Sequence, residues 1–144
     1  YVSKIPKEEG NQHDSELLTH IQHLVEQTTI VEKEFYEFCI SFMAKKLSPP
    51  GTVIAFSILE AIEAGVLTMI AVLVSHDNYE MELLFQITSD KGSFMEKIRK
   101  RYLTVENDLS VEERLILLGL HSQLERVFLP LGRFAGFLNQ RISH

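Results

Sequence analysis

From residue 15 to residue 47, large apolar side chains recur with a helical rhythm. Leu17, Ile21, Leu24, Thr28, Val31, Phe35, Phe38 and Phe42 follow one another at steps of 4, 3, 4, 3, 4, 3 and 4. Alternating steps of three and four put all eight on one stripe of an α-helix, and sustained over this length they make a heptad seam. Asp14 or Ser15 offers a side-chain oxygen to the first free N–H groups. The β-branched run from Thr28 to Val31 weakens the helix locally, which leaves a break near Thr29 open. Ser-Pro-Pro-Gly at 48–51 ends the pattern, because proline has no N–H and pushes the residue before it out of helical geometry.

The next stretch, 52–75, is apolar on nearly every side. Ser57, Ala61, Ala64, Thr68, Ala71 and Ser75 form a stripe of small residues, and Glu60 and Glu63 are its only charges. It is long enough to cross a bilayer. About thirteen large apolar residues at roughly −0.3 to −0.6 kcal/mol each favour insertion by on the order of 5 kcal/mol. Two central carboxylates at roughly +2.5 to +3.5 kcal/mol each cancel that gain. The flanks carry no Trp, and the nearest basic pair, Lys45 and Lys46, stands on one side only. The stretch therefore reads as the buried helix of a bundle rather than a membrane span. Glu60 and Glu63 are expected to reach its rim or to pair with a basic side chain of a neighbouring helix.

Three capping signals divide the remainder. Asp77 with Glu80 opens a helix to about Thr88, closed by Gly92 as a left-handed cap. Ser93 with Glu96 opens a short one to about Leu103, and Ser110 with Glu113 opens the last, which runs to about Ile142. Its seam is Leu117, Leu120, Leu124, Val127, Leu131, Phe134 and Leu138, widened by Leu115, Leu118 and Phe128. Pro130 is expected to kink or split it. The pattern predicts an all-α protein: a four- to five-helix bundle with the apolar helix over 52–75 at its centre and long amphipathic first and last helices. Residues 1–13 read as a mobile lead-in and 14–144 as a single helical domain. The chain opens on Tyr1 rather than Met, which reads as a piece of a longer protein.

Composition narrows the function classes. The 144 residues carry a net charge of −6, so nucleic acid is not an expected partner. One cysteine, Cys39, excludes an intrachain disulfide and a Cys-rich zinc site. It fits a reducing, cytoplasmic setting and reads as a buried thiol. Charge is uneven along the chain. Residues 91–101, KGSFMEKIRKR, hold net +4, against −10 for the rest. Lys97, Arg99, Lys100 and Arg101 in this patch are the candidate contacts for an acidic partner.

Other candidate chemistry is sparse. His20 and His23 stand three apart on one helix, so both rings could face one metal ion, although the Glu-x-x-His spacing of di-iron bundles is absent. His76 and His121 are the candidate ligand-binding residues should the helices enclose a haem or an apolar small molecule. No nucleophile elbow, P-loop, dinucleotide fingerprint or zinc-protease motif is present, which names no reaction and points away from an enzyme.

The opening of the apolar helix, GTVIAF at 51–56, wrapped by amphipathic helices, resembles in outline the bundle of Bcl-2-type apoptosis regulators. It covers six residues. The Asn-Trp-Gly-Arg signature of that family is missing where 49–52 read Pro-Pro-Gly-Thr. Nothing about function is carried over from it.

The expectation from sequence is a non-catalytic helical interaction or oligomerisation module, the regulatory or sensory part of a longer protein. A homodimer through Leu17, Ile21, Leu24, Val31 and Phe35 is its simplest assembly. The alternative is a helical sensor that holds haem, a metal or an apolar molecule between its helices.

Overall fold

The computed structural model describes residues 7–75, 77–89 and 91–142. Five helices follow one another: α1 (Lys7–Ala44), α2 (Pro49–Ser75), α3 (Asn78–Ser89), α4 (Lys91–Val105) and α5 (Val111–Ile142), with a 3-10 turn at Glu106–Asp108 before the last. No strand occurs among the described residues. The all-α bundle expected from the pattern is what forms.

The boundaries differ from expectation where backbone chemistry overrides the pattern. α1 starts at Lys7, so part of the expected lead-in is helical, and residues 1–6 lie outside the described ones. It runs unbroken through Thr29, and the Thr28 and Thr29 hydroxyls donate back to the carbonyls of Leu24 and Val25, at 2.8 and 2.9 Å. α2 includes both prolines in its first turn, where a missing N–H costs nothing because those donors have no helical acceptor. Asp77 caps α3 by accepting from the Tyr79 N–H at 3.0 Å. α4 begins at Lys91, ahead of the expected Ser93, so Gly92 sits in its first turn instead of closing α3. α5 continues through Pro130.

α5 lies against α1, α2 and α3, while α2 lies against α3, α4 and α5. The apolar helix and the last helix thus share the middle of the bundle. The α5 seam supplies the core, for Leu117, Leu120, Leu124, Val127, Leu131 and Phe134 are all buried. α1 covers another side of α5 with Val31 and Phe38. Its register is fixed by Glu34, whose carboxylate meets Arg126 Nε at 3.3 Å, and by Gln123, which donates to Ser41 Oγ at 2.9 Å. α1 touches α2 only sparsely.

Gly65 lies where α2 packs tightly on α5. A Cβ there would lie 2.9 Å from a methyl of Leu131 and 3.7 Å from the Phe128 ring. Gly65→Leu is expected to overpack this contact and lower stability by about 1–3 kcal/mol, which urea denaturation would read. An unchanged midpoint would place the two helices further apart than described.

Glu113 ties the start of α5 to the turn before α2. One carboxylate oxygen accepts the Ser48 N–H at 2.6 Å and the other accepts the Ser110 N–H at 3.0 Å. Ser110 Oγ in turn accepts the Glu113 N–H at 3.2 Å, completing the capping box that the sequence announced. Gly51 leaves room for this, since a Cβ there would stand 3.1 Å from the carboxylate. Its neighbours Ser48, then Ser110, lower the Glu113 pKa from 4.5 to about 2, the Ser48 and Ser110 N–H groups donating to the carboxylate. The unfolded chain binds this proton more readily. The stabilisation is therefore complete above about pH 4.5 and fades as pH falls from there toward 2. Glu113→Gln is expected to remove this part of the acid sensitivity. Denaturation midpoints measured across that interval would show it, and parallel profiles for the two proteins would contradict it.

Candidate functional site

α4 is the least apolar of the helices, and Ile98 is its one fully buried residue among those whose side chains are described. It packs on α2 through that face. Toward α5 it makes one ring contact near its start, Phe94 meeting Phe128 edge-on at 6.3 Å. Along the rest of α4 a groove of about 600 Å³ opens between α2, α4 and the beginning of α5. Ile54 and Ile58 form its floor from α2, Met95, Ile98 and Tyr102 one wall from α4, and Leu115, Leu117 and Leu118 the other from α5. A smaller hollow of about 280 Å³ continues the groove along α4 and α5, with Met95 lining both.

The groove is apolar but rimmed by polar and charged side chains. Arg99, Arg114 and His121 line it, against the single carboxylate of Glu96. Arg114 is held in place by a hydrogen bond from Nη2 to the Glu106 carbonyl at 2.5 Å. Its Nε is shielded from solvent and, among the described residues, makes no hydrogen bond. Such a donor gains from an acceptor brought by a ligand. Leu115 and Leu118 are 65 % and 62 % exposed on the α5 wall. An open apolar patch with a charged rim is the usual mark of an interaction surface.

The candidate residues from sequence fall in different places. Leu24, Val31 and Phe35 of the first seam pack into the protein's own core, with Val31 2 % exposed. Leu17 is half-buried and Ile21 is exposed on the same helix. α5 of the same chain covers the central residues of this seam, so Val31 is not open to a second copy, while Ile21 remains on the surface. Apart from Ile21, the large exposed residues of α1 lie to one side of the seam, at Leu18, Val25, Tyr36, Ile40 and Met43.

The basic patch does not present its side chains together. Lys97, Arg99 and Lys100 are exposed, but Lys100 pairs with Glu96 on its own helix at 3.6 Å and Arg99 turns to the groove. Arg101 points inward and donates to Ser57 Oγ on α2, which removes it from any outward contact.

His20 and His23 hold Phe137 of α5 between them. His20 meets the ring edge-on at 6.1 Å and His23 stacks on it at 5.0 Å, while His23 Nδ1 lies 3.8 Å from Glu26. That geometry docks the start of α1 on the end of α5. Among the described residues no three His, Cys, Asp or Glu side chains converge in a way that could hold a metal. His76 lies outside the described residues. His121 is the one histidine candidate that reaches the groove. Glu60 and Glu63 are both exposed on α2 and, among the described residues, form no ion pair.

The sequence reading missed the groove itself. Its signal was present in Leu115 and Leu118, which make the apolar face of the last helix wider than its buried seam requires. No family model, no curated protein and no solved structure matches the chain.

Proposed function

We propose that this protein is a non-catalytic interaction module that receives an apolar, acidic helix in the groove between α2, α4 and α5. The observation that carries this reading is the open groove of about 600 Å³ with exposed Leu115 and Leu118 on one wall. An amphipathic helix laid in an apolar groove buries residues at i, i+3, i+4 and i+7. Arg99, Arg114 and His121 select for a carboxylate beside that apolar row.

A designed amphipathic helical peptide tests this, with leucine at those four positions and one glutamate beside them. Fluorescence anisotropy of the labelled peptide is expected to show saturable binding. Leu115→Asp with Leu118→Asp should weaken it at least about tenfold, equivalent to about 1.4 kcal/mol. Exchanging the peptide's glutamate for lysine should weaken it in the same direction. Equal binding to the unaltered and doubly altered proteins would place the peptide elsewhere and end this reading.

A second reading is favoured by one observation. The groove volume lies within the range of small-molecule sites, about 300–1,000 Å³, and His121 stands on its wall. An apolar molecule with an anionic group, haem included, would use the same side chains. The absorbance spectrum and native mass of the purified protein separate the two, since a bound haem gives a Soret band and a bound lipid an added mass.

A further inference from the structure

We propose that the groove is filled by the outer face of α2 from a second copy of this chain. The proposal rests on the groove reading above and names its occupant. α2 turns one face to solvent. Val53, Phe56, Glu60, Glu63, Leu67 and Ile70 are all exposed and succeed one another at steps of 3, 4, 3, 4 and 3. They form a single helical stripe, apolar at both ends and acidic in the middle. This is the chemistry that an apolar groove rimmed by Arg99, Arg114 and His121 accepts. Among the described residues neither Glu60 nor Glu63 has an ion-pair partner in its own chain.

The same helix contributes Ile54 and Ile58 to the groove floor, on the side opposite the stripe. A chain therefore cannot lay its own stripe in its own groove, and the contact is intermolecular. It is also head-to-tail, joining two different surfaces, so it closes into a ring or continues as a string of copies. A symmetric contact of α2 with α2 is the competing arrangement. It would set Glu60 and Glu63 against their own copies, and like charges across a contact are unfavourable. The groove offers the same stripe the guanidinium groups of Arg99 and Arg114, and its one carboxylate, Glu96, is paired with Lys100.

Sedimentation velocity at neutral pH and low salt tests the proposal on the unaltered protein and two variants. The unaltered chain is expected to gain mass as its concentration rises, and to lose that gain as salt screens the charges. Glu60→Lys with Glu63→Lys spoils the stripe and keeps the groove. Leu115→Asp with Leu118→Asp spoils the groove and keeps the stripe. All four positions are exposed, and circular dichroism checks that both variants stay folded. Each variant alone is expected to be a monomer, and an equimolar mixture of the two should give a dimer with one intact contact. The milder pair Glu60→Gln and Glu63→Gln should weaken association in the same direction as the lysine pair. An unaltered chain that stays monomeric at high micromolar concentration would overturn the inference. So would a mixture that stays monomeric while the unaltered chain associates, because the contact would then join like surfaces. Peptide binding in the groove, measured on the Glu60→Lys, Glu63→Lys variant, shows whether the groove reading survives such a failure.

Discussion

Val31→Glu is expected to abolish folding, whereas Val25→Glu on the same helix should leave a folded protein. Val31 is 2 % exposed and lies where α1 meets the core, while Val25 is 60 % exposed. At position 31 the substitution removes an apolar side chain worth about 1.5–3 kcal/mol of burial. It also puts a carboxyl group with no designed partner into a close-packed interface, which costs several kcal/mol more whether the group stays charged or takes up a proton. The sum is on the order of 5 kcal/mol or above, comparable to the whole stability of a domain of this size. Circular dichroism at neutral pH would show a lost helical signal for the first variant and a retained one for the second. A folded Val31→Glu protein would mean that the seam of α1 faces outward after all.

Phe134→Ala is the second large effect. Phe134 is fully buried at the α5 seam, in the same core cluster as Leu131 and Leu84. Removing a buried ring loses its transfer free energy and leaves a cavity that a helix bundle closes only in part. The expected loss is about 3–5 kcal/mol. Leu129, 49 % exposed on the same helix, provides the control, and Leu129→Ala should change stability by no more than about 0.5 kcal/mol. Urea midpoints for the two variants test the assignment of the inner and outer faces of α5. Equal losses would contradict it.

The fold was largely legible because helix formation and burial leave local traces. The seam from Leu117 to Phe134 named core residues correctly, since spacing alone sets which side chains share a face. The Ser110–Glu113 box appeared with both hydrogen bonds in place. The continuity of α1 at Thr29 was not legible. Propensity sees only the β-branched run, whereas the burial of Val31 and Phe38 against α5 holds the helix through it. The neighbour of the first seam, expected to be a second chain, was not legible for a different reason. A narrow apolar stripe serves an internal neighbour or another chain equally well, and only the placement of α5 shows which one it meets.

The candidate site was less legible still. The basic run at 91–101 looks continuous in sequence, yet one helical turn distributes its charges around the axis. Lys97 and Lys100 go to solvent, Arg99 to the groove and Arg101 to Ser57. The groove takes its floor from α2 and its walls from α4 and α5, so its width is set by how three helices pack. No local pattern encodes the distance between α4 and α5. What the sequence did carry was an excess of apolar residues at Leu115, Leu118, Val53, Phe56, Leu67 and Ile70 beyond what one buried stripe per helix needs. The structure leaves all six on the surface.

The central claim is that the α2–α4–α5 groove is the surface this protein uses. Methyl NMR tests it most directly, with the unaltered protein labelled at Ile, Leu, Val and Met and titrated with the glutamate-bearing helical peptide. The expected result is a saturable set of shifts at Ile54, Ile58, Met95, Ile98, Leu115 and Leu118, with Leu18 and Val25 on the outer side of α1 unmoved. Shifts confined to α1, or none at the groove methyls at saturating peptide, would contradict the account.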